Sequence, residues 1–126
     1  MRVLLVDDHP MLRRGLRRLL EFKPDIEVVG EEADGEEALR QIHLLSPDVV
    51  VMDVRMPGTS GLQAAKELQE VGFPGKVMFI SMYEEYVSKA IEVGASGYLP
   101  KSAKLHEIVS TIRQIHAGGS AFGAVA

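Results

Sequence analysis

Short runs of β-branched and aliphatic residues alternate with helical patterns five times along this chain, and this alternation constrains the fold most strongly. Between the runs, leucine, isoleucine and alanine recur at the spacing of one helical face. Strands that alternate with helices form a parallel sheet through right-handed crossovers, with helices on both faces. The predicted strands are residues 2–6, 26–31, 48–52, 76–80 and 97–99.

We therefore expect an α/β, flavodoxin-like (βα)5 fold: a doubly wound parallel sheet of five strands in the order 2-1-3-4-5. A chain of 126 residues fits one domain with one core. The helical pattern is lost after the fifth helix, in the sequence HAGGSAFGAVA. We expect residues 1–119 to form the domain and residues 120–126 to begin a linker or C-terminal tail.

Composition excludes several classes of function. The chain has no cysteine, so it forms no disulfide or thiolate zinc site. Its net charge of −4 argues against binding of the phosphate backbone of a nucleic acid by this chain alone. The apolar runs are too short to cross a bilayer and no signal peptide is evident, so we expect a cytoplasmic protein without membrane contact. The four histidines lack the spacing of metal ligands, and no glycine-rich nucleotide-binding loop follows a strand.

Polar residues follow four of the five predicted strands. An acidic pair, Asp7 and Asp8, follows strand 1, and Asp53 follows strand 3. Ser81 follows strand 4 and Lys101 follows strand 5. Taken singly, the acidic pair is an ordinary helix-terminal charge, Ser81 a turn hydroxyl and Lys101 a solvated lysine. Asp53 differs because it ends a run of four apolar residues, where desolvation makes its charge costly. Because the carboxyl ends of parallel strands meet at one edge of a sheet, we expect all five side chains to converge there.

Three converging carboxylates repel one another unless a cation joins them. Carboxylate oxygens without histidine or cysteine suit Mg²⁺ better than zinc. The charges of three aspartates, one Mg²⁺ and Lys101 cancel, which leaves a neutral site for a phosphoryl group. A carboxylate nucleophile, a bridging metal, a hydroxyl and a lysine are the groups used for phosphoryl transfer to aspartate.

Four motifs carry a family resemblance: VDDHP (6–10), DVRMPGTSG (53–61), FISM (79–82) and GASGYLPK (94–101). The chain resembles the receiver domain of bacterial two-component response regulators, especially those of the NarL/LuxR type. The resemblance implies that Asp53 accepts a phosphoryl group from a sensor histidine kinase. It also implies that Asp8 binds Mg²⁺ directly and Asp7 through water. The backbone carbonyl of Arg55 would complete the protein's share of the metal site, together with Asp53.

The same resemblance assigns the switch. Ser81 would hydrogen-bond the phosphoryl oxygen, Lys101 would pair with it, and Tyr98 would change rotamer with Ser81. The domain would not be an enzyme in its own right, although it promotes its own aspartyl phosphorylation and dephosphorylation. Phosphorylation allows a homodimer, and DNA would be bound only through a C-terminal domain outside this chain.

Three other interpretations stay open. The chain could be a natural single-domain receiver that acts through protein contacts. An aspartyl-phosphate phosphatase commonly has a second acid two residues after the nucleophile, where this chain has Arg55. A degenerate receiver that only binds partners is disfavoured by the intact Asp53, Lys101 and acidic pair.

The basic side of helix 1 is either a solvated face or a kinase-docking surface. Its residues are Arg13, Arg14, Arg17 and Arg18.

Overall fold

The computed structural model describes residues 1–122 and contains a sheet of five parallel strands in the order β2-β1-β3-β4-β5. The strands are β1 (Arg2–Val6), β2 (Glu27–Glu32), β3 (Val49–Asp53), β4 (Lys76–Ser81) and β5 (Gly97–Pro100). The helices are α1 (Pro10–Leu20), α2 (Gly35–Leu45), α3 (Gly61–Glu70), α4 (Val87–Glu92) and α5 (Leu105–His116), with a 3₁₀ turn, Glu84–Tyr86, before α4. The predicted strand order is confirmed, and every predicted strand end lies within one residue of its observed position.

The register of the strands brings their carboxyl ends to one edge of the sheet. Val6 of β1 lies beside Met52 of β3, and Asp53 lies beside Ile80 of β4. Ser81 lies beside Pro100 at the end of β5. The loops that carry Asp7, Asp53, Ser81 and Lys101 therefore open on the same side of the molecule.

The hydrophobic core has one layer on each face of the sheet. Leu4 and Val6 face the layer packed by α2, α3 and α4, whereas Val3 and Leu5 face the layer packed by α1 and α5. This alternation follows from the two-residue period of a strand. Because both faces are covered, β1, β3 and β4 are apolar along most of their length rather than alternately polar. The edge strand β2 carries three glutamates.

N-cap side chains and a proline mark the starts of three helices. Asp34 caps α2 by accepting a hydrogen bond from the Glu37 amide at 2.9 Å. Ser60 caps α3 through the Gln63 amide at 3.1 Å, and Pro10 occupies the first turn of α1. Side-chain oxygens at the N-cap satisfy amides that have no partner inside the helix. These caps set the points at which the chain leaves the functional edge of the sheet.

Helices α1 and α4 are less buried than their leucine and isoleucine patterns predict. In α1 only Leu20 is buried, and Leu12 and Leu19 are 42% and 46% exposed. Ile91 of α4 is 53% exposed. The apolar face of α1 is wider than the part of it that contacts α5 and the sheet. The remaining apolar residues of α1 therefore line an open groove.

The segment after α5 returns to the sheet. Ala121 forms a parallel bridge with Gly97 of β5. The Tyr98 amide donates to the Ala121 carbonyl at 2.8 Å, and the Ala121 amide donates to the Ser96 carbonyl at 2.8 Å. The predicted tail thus begins as an addition to the β5 edge, while residues 123–126 lie outside the described residues. Within residues 1–122, no helix has the length and apolar character needed to cross a membrane.

Candidate functional site

Two of the three predicted carboxylates are buried at the carboxyl edge of the sheet. Asp53, the last residue of β3, is 6% exposed, and Asp7, directly after β1, is 9% exposed. The backbone amide of Asp7 donates to the Glu32 carbonyl at 3.0 Å, which extends the pairing of β1 with β2 by one residue. Burying carboxylates is costly without a compensating cation. These two aspartates therefore require positive charge beside them.

Lys101 supplies part of that charge. Its ammonium nitrogen lies 2.8 Å from Asp53 Oδ2 and 3.2 Å from Asp7 Oδ2. The Lys101 amide donates to the Ser81 carbonyl at 2.9 Å, which anchors the β5–α5 loop to the end of β4. Burial by itself lowers the pKa of the ammonium, but the hydrogen bond and charge of Asp53, with Asp7, raise the pKa above its ordinary value. Lys101 is therefore a fixed positive charge at neutral pH.

The remaining negative charge fits a divalent cation. Asp8 Oδ1 is buried and accepts no hydrogen bond within residues 1–122. Asp7, Asp8, His9 and Asp53 each offer a ligand atom, and these atoms lie within 4.8 Å of one another. Buried carboxylate oxygens are paired in stable structures, and hard oxygen donors suit Mg²⁺. The donor set and the unpaired oxygen therefore fit a Mg²⁺ ion bridging the aspartates.

Arg55 lies beside this cluster through its backbone. Its amide donates to Asp53 Oδ1 at 3.3 Å, so the chain turns around the carboxylate directly after β3. The Arg55 guanidinium lies 5.4 Å from the centre of the Tyr83 ring. The metal-ligand role of the Arg55 carbonyl stays a prediction.

Sequence reasoning missed His9. Its Nδ1 lies 2.9 Å from Asp7 Oδ1 and 3.3 Å from Asp8 Oδ1. The spacing test compared histidines with one another, whereas the useful signal was one histidine directly after an acidic pair at a strand end. The His9 amide donates to Asp7 Oδ1 at 2.8 Å, and this turn brings the ring back over the carboxylates.

Ser81 and Tyr98 belong to one hydrogen-bonded group. The Tyr83 amide donates to Ser81 Oγ at 3.0 Å, and the Tyr98 hydroxyl donates to the Tyr83 carbonyl. The Tyr98 ring points inward, is 3% exposed, and lies 6.3 Å from the Phe79 ring. Burial raises the pKa of the Tyr98 hydroxyl, which stays a donor at neutral pH. The loop after β4 is thus attached to both predicted switch residues.

The basic side of α1 is partly used inside the molecule. Arg13 Nε lies 3.0 Å from Glu31 Oε1, and Arg17 Nη1 lies 3.0 Å from Glu31 Oε2. Burial alone would raise the pKa of Glu31, but hydrogen bonds from Arg17 and Arg13 lower it. Arg14 and Arg18 are exposed. Half of the basic side therefore fastens α1 to β2, and the other half faces solvent.

Comparison with known proteins agrees with this fold and shows the family. The family described as "Response regulator receiver domain" matches residues 3–113. The nitrate/nitrite response regulator protein NarL of Escherichia coli K12 is 39% identical over 118 residues, which cover 92% of this chain and 55% of NarL. The transcriptional regulatory protein LiaR of Bacillus subtilis is 44% identical over 119 residues, which cover 93% of this chain and 56% of LiaR. The chain thus spans about half the length of the curated relatives it matches.

Solved structures give the same result. The receiver domain of the putative response regulator NarL from Mycobacterium tuberculosis superposes with a TM-score of 0.89 at 38% identity, covering 93% of this chain and 96% of that one. A LuxR-family two-component response regulator from Aurantimonas sp. SI85-9A1 has a TM-score of 0.91 at 40% identity, covering 98% of this chain and 89% of that one.

The sheet has five parallel strands, and its carboxyl edge carries aspartates paired with a lysine. The family match covers most of the chain. This chain therefore belongs to the response regulator receiver domains. Its relatives place it among the receivers of NarL/LuxR-type response regulators. Receiver domains are generally non-enzymatic signalling modules that bind Mg²⁺ at their acidic residues.

Proposed function

We propose that this domain is a phosphorylation-dependent switch in which Asp53 accepts a phosphoryl group from a sensor histidine kinase. The observation that carries the proposal is the pairing of the buried Asp53 with Lys101 at 2.8 Å, inside a cluster that has more carboxylates than cations. A simple structural ion pair would not need Asp7 and Asp8 beside it. The excess negative charge is what a divalent cation and a transferring phosphoryl group require.

The chain's own residues account for the transfer step. A carboxylate oxygen of Asp53 attacks phosphorus, the bond from phosphorus to the donor nitrogen breaks, and the donor imidazole leaves with its electron pair. Lys101 compensates charge on the phosphoryl oxygens, and the Ser81 hydroxyl donates to one of them. Mg²⁺, held by Asp7, Asp8, Asp53 and the Arg55 carbonyl, would neutralise the aspartates and the phosphoryl oxygens. Positioning and charge compensation are the main contributions in such transfers.

The switch uses the hydrogen-bonded group behind the site. When Ser81 turns toward a phosphoryl oxygen, it gives up its bond to the Tyr83 amide. Tyr83 also holds the Tyr98 hydroxyl through its carbonyl, so the two changes are coupled through one residue. We infer that phosphorylation stabilises an arrangement of the β4–α4 loop and of the surface made by α4, β5 and α5.

A groove beside the site supports the kinase assignment. It lies between α1 and α5, with a volume of about 280 Å³, and reaches Asp53 and Lys101. Its walls include the half-buried Leu16 and three exposed apolar residues of α1, namely Met11, Leu12 and Leu19. Apolar side chains exposed next to a reactive group favour docking of an apolar helical surface.

The output is proposed from the relatives. Because the curated relatives are about twice as long as the matched region, we propose that residues 120–126 begin a linker to a DNA-binding domain that regulates transcription. Homodimerisation on phosphorylation and a cytoplasmic location are part of the same proposal. A single-domain receiver is the alternative, and the reading frame after Ala126 distinguishes the two. A phosphatase is disfavoured because Arg55 occupies the position of the second acid.

The central experiment is phosphorylation with acetyl phosphate and Mg²⁺, followed by intact-protein mass spectrometry. The wild-type chain should gain one phosphoryl group, and Asp53→Asn should gain none because its amide is not a nucleophile. Asp25→Asn is the matched control, since Asp25 pairs with Arg113 outside the site, and it should label like the wild type. Equal labelling of Asp53→Asn would refute the proposed function.

A further inference from the structure

We propose that Nδ1 of His9 is a fourth ligand in the cation site, so that the site binds borderline divalent ions such as Zn²⁺ more tightly than carboxylates alone would. This proposal rests on the proposed function, because the same aspartates would hold the cation in both. It adds a nitrogen donor to a site expected to be made of oxygen, and with it a different order of preference among metals.

The distances around His9 are those between ligands of one ion. Nδ1 lies 2.9 Å from Asp7 Oδ1, 3.3 Å from Asp8 Oδ1 and 3.9 Å from Asp53 Oδ2. Around an ion with bonds of about 2.1 Å, neighbouring ligands at right angles lie about 3.0 Å apart and opposite ligands about 4.2 Å apart. The two shorter separations match neighbouring ligands.

Nδ1 of His9 lies between a hydrogen-bond acceptor and a hydrogen-bond donor. Asp7 Oδ1, at 2.9 Å, can only accept a hydrogen bond, and it already accepts one from the His9 amide. Lys101 Nζ, at 2.8 Å, can only donate, so it contacts the lone pair of Nδ1. A cation that takes this lone pair and an oxygen of Asp7 would leave Lys101 its bond to Asp53.

The attachment of His9 keeps the ring available. The backbone amide of His9 is fixed to Asp7 Oδ1 at 2.8 Å, while the His9 side chain is 56% exposed. Coordination through Nδ1 therefore requires little desolvation and leaves the Nε2 proton in solvent. Within residues 1–122, His43, His106 and His116 belong to no comparable group of metal-ligating side chains.

A nitrogen ligand changes which ions compete for the site. Imidazole suits zinc and similar ions, whereas carboxylate and carbonyl oxygens suit Mg²⁺. Zn²⁺ held by His9 and the aspartates occupies the position that Mg²⁺ needs. The phosphorylation site is thus also a site at which borderline divalent ions displace Mg²⁺.

The test measures dissociation constants for Zn²⁺ and Mg²⁺ separately, by calorimetric titration of the wild type, His9→Asn and His106→Asn. His9→Asn should weaken Zn²⁺ binding at least about tenfold, equivalent to about 1.4 kcal/mol, and should weaken Mg²⁺ binding much less. His106→Asn should leave both constants unchanged. With ¹⁵N-labelled histidine, Zn²⁺ should shift the Nδ1 resonance of one histidine, and that resonance should be missing from His9→Asn.

Two results would overturn the proposal: an unchanged Zn²⁺ constant in His9→Asn, or a Zn²⁺-induced shift at His43, His106 or His116 instead. Asp8→Ala separates this proposal from the proposed function. Loss of Mg²⁺ binding in Asp8→Ala with an unchanged Zn²⁺ constant in His9→Asn refutes the role of His9 alone. Retained Mg²⁺ binding in Asp8→Ala refutes the acidic metal site and, with it, both proposals.

Discussion

At the scale of single residues, Arg55 and Tyr83 form a cover next to Asp53, the proposed phosphoryl acceptor. The Arg55 amide is bonded to Asp53, the Tyr83 amide is bonded to Ser81, and the guanidinium lies 5.4 Å from the Tyr83 ring centre. Exposed cation–π pairs of this kind contribute about 0.5–1 kcal/mol. Because both partners extend from the two loops that border Asp53, we expect their contact to restrict the entry of water to the site.

Removing the ring should therefore shorten the life of the phosphorylated state. We expect Tyr83→Ala to increase the rate of dephosphorylation about two- to fivefold, which corresponds to about 0.5–1 kcal/mol. Tyr83→Phe keeps an aromatic face and should decay like the wild type. Both variants keep the backbone carbonyl that binds Tyr98. Loss of the phosphoryl group over time, followed by intact-protein mass spectrometry, measures the rate; equal decay of the Ala and Phe variants would contradict the cover.

At the scale of elements, the connection from β3 to α3 holds Asp53 in place through a close backbone approach. The Gly61 amide donates to the Val54 carbonyl at 2.9 Å. A Cβ at Gly61 would lie 2.0 Å from the Asp53 carbonyl oxygen and 3.0 Å from the Phe79 ring. The first residue of α3 must therefore be a glycine, because any side chain there would prevent the loop from packing against β3.

Alanine substitutions at two helical glycines should have opposite effects. Gly61→Ala forces the α3 start away from β3 and should lower the free energy of unfolding by about 2–4 kcal/mol. Gly15 lies within α1, and a Cβ there would meet nothing within 4 Å. Gly15→Ala should therefore raise the free energy of unfolding by about 0.5–1 kcal/mol. Urea denaturation measures both changes. Similar small effects at the two positions would show that the β3–α3 contact is not tight.

The strands β1, β3 and β4 were predictable because each is a short, mainly apolar run. The convergence of the polar residues was predictable because they follow such runs. Asp53 and Lys101 lie 48 residues apart in sequence, yet topology alone brought them together. The exposure of Leu12 and Ile91 was not predictable, since periodicity shows which face is apolar and not how widely neighbours cover it. The His9 contacts depend on a turn within three residues, which strand-level reasoning does not describe.

The return of the chain to β5 was also beyond the sequence pattern, because one residue pair creates it. Ala121 accepts from the Tyr98 amide and donates to Ser96. Truncation after Gly119, the predicted domain boundary, removes both bonds. We expect the Tyr98 amide to exchange with deuterium faster in that variant, while truncation after Phe122 should preserve its protection. Equal protection in both variants would mean that the pairing does not persist in solution.

At the scale of the whole molecule, the proposed switch lies where the sheet meets α4, the shortest α-helix within residues 1–122. α4 has six residues, Val87–Glu92, and the 3₁₀ turn Glu84–Tyr86 precedes it. Val87 and Ala90 are its buried residues, so few apolar contacts hold it to the sheet. Segments with few buried contacts open at low free energy. The β4–α4 region can therefore change arrangement while the sheet that holds Asp53 and Lys101 stays fixed.

Coupling through this region should depend on the Ser81 hydroxyl. A ligand shifts a two-state equilibrium only through different affinities for the two states, so the phosphoryl contact to Ser81 must be stronger in the active arrangement. Ser81→Ala should stay phosphorylatable at Asp53 but show a weaker response at the Tyr98 ring and the α4 amides. NMR with beryllofluoride, which mimics the phosphoryl group, measures that response. Ser102→Ala, an exposed serine next to Lys101, is the matched control and should respond fully. If Ser81→Ala showed the full wild-type shifts at saturation, the signal would have to pass through Lys101 and its bond to the Ser81 carbonyl, because the backbone there is unchanged by the substitution.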